Sequence, residues 1–254
     1  NGAGKTTTIR MLLGLLLPTS GSARVLGYDV TRQAKAMQSR VGYMSQIFTL
    51  YDDLTAGENL RFYGQAYGLS QAALRRKREE IIAMAGLEGR AGELTSRLSG
   101  GWRQRLALGC AIIHEPELVF LDEPTAGVDP VSRREFWELI YLLARRGTTV
   151  FVTTHYMDEA EQCRRLAFIS GGRIVVQGTP EQLKAEAMPG QVLEVDCACP
   201  ELAIKALRVV RIGKQLPLQE VALYGSQVHA VVPASEAAAA REAILRLLEA
   251  AGAG

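Results

Sequence analysis

Several things are scarce in this 254-residue sequence, and each scarcity argues against a class of protein. There is almost no excess of one charge: 29 Lys and Arg stand against 27 Asp and Glu, a formal net charge of +2. Such a balance offers no broad basic surface for nucleic acid or for an anionic membrane. The local run Arg75-Arg76-Lys77-Arg78 meets Glu79 and Glu80 at once and reads as a solvated helix face. Cysteine is sparse as well. Cys110, Cys163, Cys197 and Cys199 form no CxxC pair and share no ligand spacing with His. That argues against a metal site or a disulfide framework and leaves reduced cytosolic thiols as the default. No apolar run reaches the roughly 18 residues that span a bilayer. Service to a membrane would come from outside it.

What is present begins at the first residue. Asn1-Gly2-Ala3-Gly4-Lys5-Thr6 match the last six positions of a phosphate-binding loop, G-x-x-x-x-G-K-[ST], whose two opening positions would lie upstream. A helix is expected to follow, with Ile9, Leu12, Leu13, Leu16 and Leu17 at helical spacing and Pro18 stopping the run. Its N-terminus offers free N–H groups and the positive end of a dipole, which suits a phosphate. Lys5 would reach the β- and γ-phosphates as a point charge, and the Thr6 hydroxyl would ligate Mg²⁺. Alone, so short a motif can also be a glycine-rich helix start.

Downstream, strands and helices alternate. "SARVLG" reads as a short strand ending at Gly27, and "RVGYMSQ" as another ending in Gln46. Thr55-Ala56-Gly57-Glu58 is a capping-box signature that opens a long helical region. Ser99-Gly100-Gly101 starts a further helix, which ends at Pro116. "ELVFLDEP" and "TTVFVTTH" read as strands buried on both faces, the latter ending in His155. Asp129-Pro130 pairs an N-cap with Pro at the first helical position. Gly171-Gly172 divides two β-rich runs, a hairpin. The alternation implies a parallel sheet with a helical insertion at about 55–114. After Pro189-Gly190 a β-α-β-β-α order, with a hairpin at Gly225-Ser226 and a last helix capped by Ser235, suggests a separate α+β domain. It reads equally as a docked cap or as a ligand sensor.

Chemistry-bearing residues fall at the C-terminal ends of the expected strands, the edge where open α/β sheets bind ligands. Asp122 can hold Mg²⁺ through water, and Glu123 beside it is placed to polarise an attacking water. Gln46 can ligate Mg²⁺ and sense a γ-phosphate, to which His155 can donate a hydrogen bond. Singly, Glu123 could be a surface acid and His155 a turn residue. Following a phosphate loop in this order, they read as a nucleotide-hydrolysing constellation.

Leu98-Ser99-Gly100-Gly101, Arg103-Gln104-Arg105, "LVFLDEP", "AGVDP" and "TTH" resemble the ATP-binding subunit of an ABC transporter from Asn1 to about residue 187. The resemblance implies an α/β P-loop NTPase: a RecA-like core with a helical subdomain, spanning 1–188, followed by an accessory domain at 190–254. It implies ATP and Mg²⁺ as ligands and a second ATP-binding subunit in a head-to-tail dimer. ATP would lie between residues 1–7 of one subunit (Asn1, Gly2, Ala3, Gly4, Lys5, Thr6 and Thr7) and Ser99, Gly100 and Gly101 of the other. Asp129 matches the family's inter-subunit loop residue and His155 its switch histidine. "GYDV", "LALGCAIIHEP", "GVDPVSRREFW" and "TTHYMDEAEQC" are most similar to exporters with ABC-2 type permeases. That branch implies drug export from the cytoplasmic face of the membrane, with residues from Gln46 to about Arg61 meeting the permease. Phe48, Tyr51 and Phe62 would take part there or else be core.

Two departures from the family pattern stand out. Trp102 replaces the usual Gln of the signature. The family's first two strands, including the aromatic that stacks on adenine, would lie upstream of Asn1. The chain alone is therefore expected to bind ATP weakly and to leave a vacant strand position beside the Asp122 strand. A soluble cassette acting on ribosomes or DNA, and a weak regulatory cassette of a tandem protein, remain as alternatives.

Overall fold

A computed structural model describes residues 2–47, 49–187, 190–213 and 215–253. Asn1 and Phe48, two residues expected at functional positions, lie outside the described residues. The chain forms two compact units: residues 1–162 with 169–175, and residues 163–168 with 176–254. The compositional break at Pro189-Gly190 falls inside the second.

The first unit opens with α1 (Lys5–Leu12). This helix stops a turn earlier than its leucine spacing suggests. Gly14 takes φ +68°, and its N–H donates to the Met11 carbonyl while the Leu15 N–H donates to that of Arg10. This pair of bonds is a Schellman motif, which satisfies the last carbonyls and turns the chain away. Ile9 and Leu13 are buried as expected, but Leu16 and Leu17 are exposed. The expected single strand "SARVLG" is instead two strands, β1 (Arg24–Val25) and β2 (Tyr28–Asp29), paired antiparallel. Leu26 and Gly27 between them have φ +50° and +83°. Two positive values in a two-residue loop make the type I′ turn that matches strand twist.

After α2 (Ala34–Gln38) comes β3 (Val41–Met44). The helical insertion holds α3 (Ala56–Ala66), α4 (Gln71–Met84) and α5 (Gly100–Ile112). The Thr55 capping box is complete: its hydroxyl accepts from the Glu58 N–H, and Glu58 returns to the Thr55 N–H. The Glu58 carboxylate accepts from both the N–H and the hydroxyl of Thr55, at 2.9 Å each, and these two bonds hold it below its usual range. The basic run in α4 is not wholly solvated. Lys77 is buried, its ammonium paired with Glu80 at 3.0 Å and with Glu115. The long stem can lie along apolar neighbours while the charged tip finds its partners.

Then follow β4 (Leu118–Asp122), α6 (Pro130–Arg145), β5 (Thr149–Thr153) and α7 (Met157–Ala160). β3, β4 and β5 form one parallel sheet in the order β3-β4-β5. All five residues of β4 are buried, as a central strand requires. β5 is not buried on both faces; Thr149 and Phe151 are exposed. As the end strand of this sheet among the described residues, it is only half covered. The expected vacancy beside the Asp122 strand is absent, because β3 and β5 pair with both edges of β4.

β6 (Leu166–Ser170) and β7 (Arg173–Gly178) form the glycine-tipped hairpin, followed by α8 (Pro180–Ala187). In the second unit, β8 (Gly190–Val195), α9 (Pro200–Ile212), β9 (Glu220–Tyr224), β10 (Gln227–Pro233) and α10 (Ala237–Ala250) reproduce the β-α-β-β-α order. The sheet is antiparallel with order β8-β10-β9. Alternate residues Val228, Ala230 and Val232 of β10 are fully buried, and Ala240, Ile244 and Leu248 of α10 complete that core. Ser235 does not cap α10. It sits in a 3₁₀ turn, and Glu236 occupies the cap position without a side-chain bond.

His114, just past α5, gives the first unit a pH dependence. Its ring stacks on Tyr67 at 3.6 Å, and Nε2 lies 3.2 Å from the Val41 carbonyl, so Nε2 must donate. Nδ1 is buried with no partner among the described residues, and burial pushes the ring's pKa from 6.5 down to about 4. Between those values the unfolded chain binds the proton and the native one does not, so stability falls as pH drops through that window. Glu80, held below its usual 4.5 chiefly by Lys77, loses its contribution only at lower pH. His114→Gln should flatten the stability profile between about pH 6.5 and 4.5, measured by chemical denaturation at a series of pH values. An unchanged slope would rule out His114 as its source.

Candidate active site

The start of α1 is shaped by glycine. Gly2 has φ +83° and Gly4, the N-cap, has φ +101°, a conformation that costs other residues but not glycine. No side chain among the described residues caps α1, so its first N–H groups are left for an anion. The loop is braced from outside by the hairpin tip, where the Gly172 N–H donates to the Ala3 carbonyl at 3.0 Å. Gly171-Gly172 reads in sequence only as a turn, and nothing local to it signals this second contact.

Glu123 is the centre of the site. It follows β4 directly, is 7% exposed and has φ +47°, a strained value for a non-glycine residue. That backbone is over-determined from below. The Glu123 N–H donates to both the carbonyl and the hydroxyl of Thr153, at 3.0 and 3.1 Å. The Thr153 hydroxyl in turn donates to Asp122 Oδ1 at 2.7 Å. Parallel register places Thr153 opposite Asp122, which is why one threonine can serve both acids.

Three sequence-predicted residues converge on the Glu123 carboxylate. Lys5 Nζ lies 2.8 Å from Oε1; Gln46 Nε2 donates to Oε2 at 3.1 Å; and His155 Nδ1 is 3.3 Å from Oε2. Gln46 and His155 each sit two residues past a strand end, and Lys5 opens α1. Burial pushes the Glu123 carboxyl up, but Lys5 and then His155 outweigh it and hold it below its usual range. Asp122 is fully buried, and its Oδ2 has no hydrogen-bond partner among the described residues.

Other predicted residues lie on or cap α1, α5 and α6. Ser99 is the N-cap of α5 without a side-chain bond, and it is exposed together with Gly100. A Cβ on Gly100 would meet nothing within 4 Å, whereas one on Gly101 would lie 2.7 Å from Ser132 Oγ. Asp129 caps its own helix α6, accepting from the N–H groups of Val131 and Ser132 at 3.0 Å each. Thr6 and Thr7 occupy the first turn of α1. Gln104, quoted in sequence only as part of a motif, is fully buried and donates to the Pro124 carbonyl. It thereby fixes the loop after Glu123 to α5. Trp102 is half-buried, and the guanidiniums of Arg90 and Arg105 lie over its ring, 4.9 and 4.7 Å from the centre.

The family model described as ABC transporter matches residues 1–126. A solved chain described as the structure of the ATP binding subunit of an ABC transporter superposes with TM-score 0.65 at 30% identity, covering 74% of this chain and 78% of that one. The chain belongs to the ABC transporter family. Its fold is therefore that of the P-loop cassette, which is why β3, β4 and β5 deliver Gln46, Glu123 and His155 to one edge. A dimeric ATP-binding cassette solved in a post-hydrolysis state bound to ADP and Pi matches with TM-score 0.63 at 26% identity, over 70% of this chain and 81% of that one. The probable multidrug ABC transporter ATP-binding protein YbhF of Escherichia coli (strain K12) is 48% identical over 187 residues. That match covers 74% of this chain, and the chain spans 32% of the length of YbhF.

Proposed function

We propose that this chain binds ATP with Mg²⁺ and hydrolyses it to ADP and phosphate, energising export through an ABC-2 type permease. The observation that carries the reading is the convergence of Lys5, Gln46 and His155 on Glu123 beside a glycine-shaped helix start. Lys5 and the α1 N–H groups bind the β- and γ-phosphates, and Thr7 lines the same turn. Glu123 takes the proton from a water that attacks the γ-phosphorus as the bond to the bridging oxygen breaks. His155 donates to the γ-phosphate and steadies the charge it develops. The residues fit Mg²⁺: Asp122 has a buried carboxylate oxygen unpartnered among the described residues, and Thr6 and the Gln46 amide add neutral oxygen donors. When bound, the ion neutralises phosphate charge.

Ser99 and Gly100 face open space at the start of α5, which supports a second cradle for the nucleotide of another copy in a head-to-tail dimer. In that arrangement Asp129 reaches the same interface. Tyr51 and Phe62, 47% and 42% exposed and packed edge to face at 4.7 Å, support a permease-facing surface after Gln46. No helix among the described residues is long and apolar enough to cross a membrane, and a peripheral place on the cytoplasmic face accords with that. In this reading residues 1–188 are the cassette and 190–254 an accessory domain.

Phosphate release by the purified protein is the test, with and without Mg²⁺. Release that persists undiminished after chelation, or none at all with Mg²⁺ present, would sink the proposal. Trp102→Gln should change the rate by less than about a hundredfold, or about 2.7 kcal/mol of barrier, because its ring packs with Arg90 and Arg105 and the α5 N–H groups do not depend on the side chain after Gly101. A larger change would place the indole against nucleotide or partner. Its two cation–π contacts are worth about 0.5–1 kcal/mol each, so a lowered melting temperature is expected instead.

A further inference from the structure

Glu159 has no part in the site described so far, yet it is a fully buried carboxylate in α7. A buried acid is costly unless its oxygens find donors. One oxygen, Oε1, accepts from the Thr125 hydroxyl, and the other, Oε2, accepts from the Thr154 hydroxyl at 2.6 Å. Arg133 Nε stands 3.6 Å from Oε1, and the Arg133 guanidinium lies 3.9 Å over the Tyr156 ring.

The positions of those donors matter. Thr125 comes two residues after Glu123, and Thr154 comes directly before His155. The Thr154 hydroxyl also accepts from the Tyr156 N–H at 3.0 Å, so the chain is anchored on both sides of the histidine. His155 itself is 44% exposed, and its contacts among the described residues are to Glu123 and the Tyr156 ring. Its place is therefore set by its neighbours rather than by its own packing.

We propose that Glu159 is a positioning residue that holds His155 in fixed relation to Glu123, acting through Thr154 and Thr125. The inference rests on the reading of Glu123 and His155 as the hydrolytic pair. A glutamine at 159 keeps the volume but offers one accepting oxygen instead of two. It can retain one hydroxyl donor, and the other threonine is released.

The test is a double-mutant cycle on phosphate release in the full protein, using Glu159→Gln, His155→Ala and the two together. Glu159→Gln should lower kcat by about tenfold or more with KM for ATP changed less than about threefold. In the His155→Ala background the same change should cost little, within about threefold, because what it positions is already gone. Effects that multiply in the double variant, or a Glu159→Gln rate equal to the parent, would overturn the proposal. If thermal melting shows that Glu159→Gln does not fold, the same cycle with Thr154→Val decides by the same criteria. A parent protein that releases no phosphate overturns the hydrolytic reading and this one with it; a hydrolysing parent with an additive cycle overturns only the role of Glu159.

Discussion

Glu123→Gln is expected to abolish nearly all phosphate release while ATP is still bound. The carboxylate is the basic group that the fold brings to the end of β4, held below its usual range chiefly by Lys5 against the opposing effect of burial. It therefore stays ionised through the neutral range. The amide keeps the shape and can still meet Gln46, but it cannot take a proton. Removing a general base costs about 10²–10⁴-fold. Single-turnover phosphate release compared with equilibrium ATP binding separates the two steps. Release at the parent rate would show that another group accepts the proton.

Gly42→Ala should be the most damaging of the small substitutions. Gly42 lies within β3, opposite Val119 of β4. A Cβ there would come within 2.3 Å of the Ala111 carbonyl oxygen, and 3.2 Å from both Pro116 Cγ and Val119 Cγ2. The closest neighbour is backbone of α5, which cannot swing aside as a flexible side chain would. Overpacking of this kind costs about 1–3 kcal/mol and sometimes more, and the upper end is expected here. For a protein of this size about 3 kcal/mol lowers Tm by roughly 6–12 °C. Thermal unfolding followed by circular dichroism would measure it. An unchanged Tm would mean that β3 and α5 separate freely, and the strand carrying Gln46 would then be less fixed than described.

The sequence made the site legible because its residues lie in short, ordered motifs whose chemistry is local. Lys5, Gln46, Glu123 and His155 could each be placed at a strand end or helix start from spacing alone, and the structure brings all four together. What spacing could not show is which groups hold them. Thr153, Gln104 and Glu159 act across parallel strands or between helix and loop, at separations of tens of residues, and a lone threonine or glutamate carries no periodic signal. The misread elements have local causes. Leucine spacing extended α1 past Leu13 because a hydrophobic pattern does not register the left-handed turn at Gly14. β5 looked buried because Val150, Phe151 and Val152 form an apolar run, whereas burial depends on what packs beyond it. Ser235 has the right side chain for a cap, but the 3₁₀ turn places Glu236 there instead.

The ion pair between Lys5 and Glu123 has a consequence for nucleotide affinity. One ammonium has two claimants: the carboxylate 2.8 Å away and the phosphates for which the loop is shaped. An incoming nucleotide must compete with the protein's own acid for that cation, so part of its binding energy is spent in separating them. A neutral side chain at 123 withdraws the internal competitor. Glu123→Gln should thus bind ATP more tightly than the parent even where hydrolysis is suppressed by other means, and ADP should gain as well, since the contest is for a charge and not for the γ-phosphate alone.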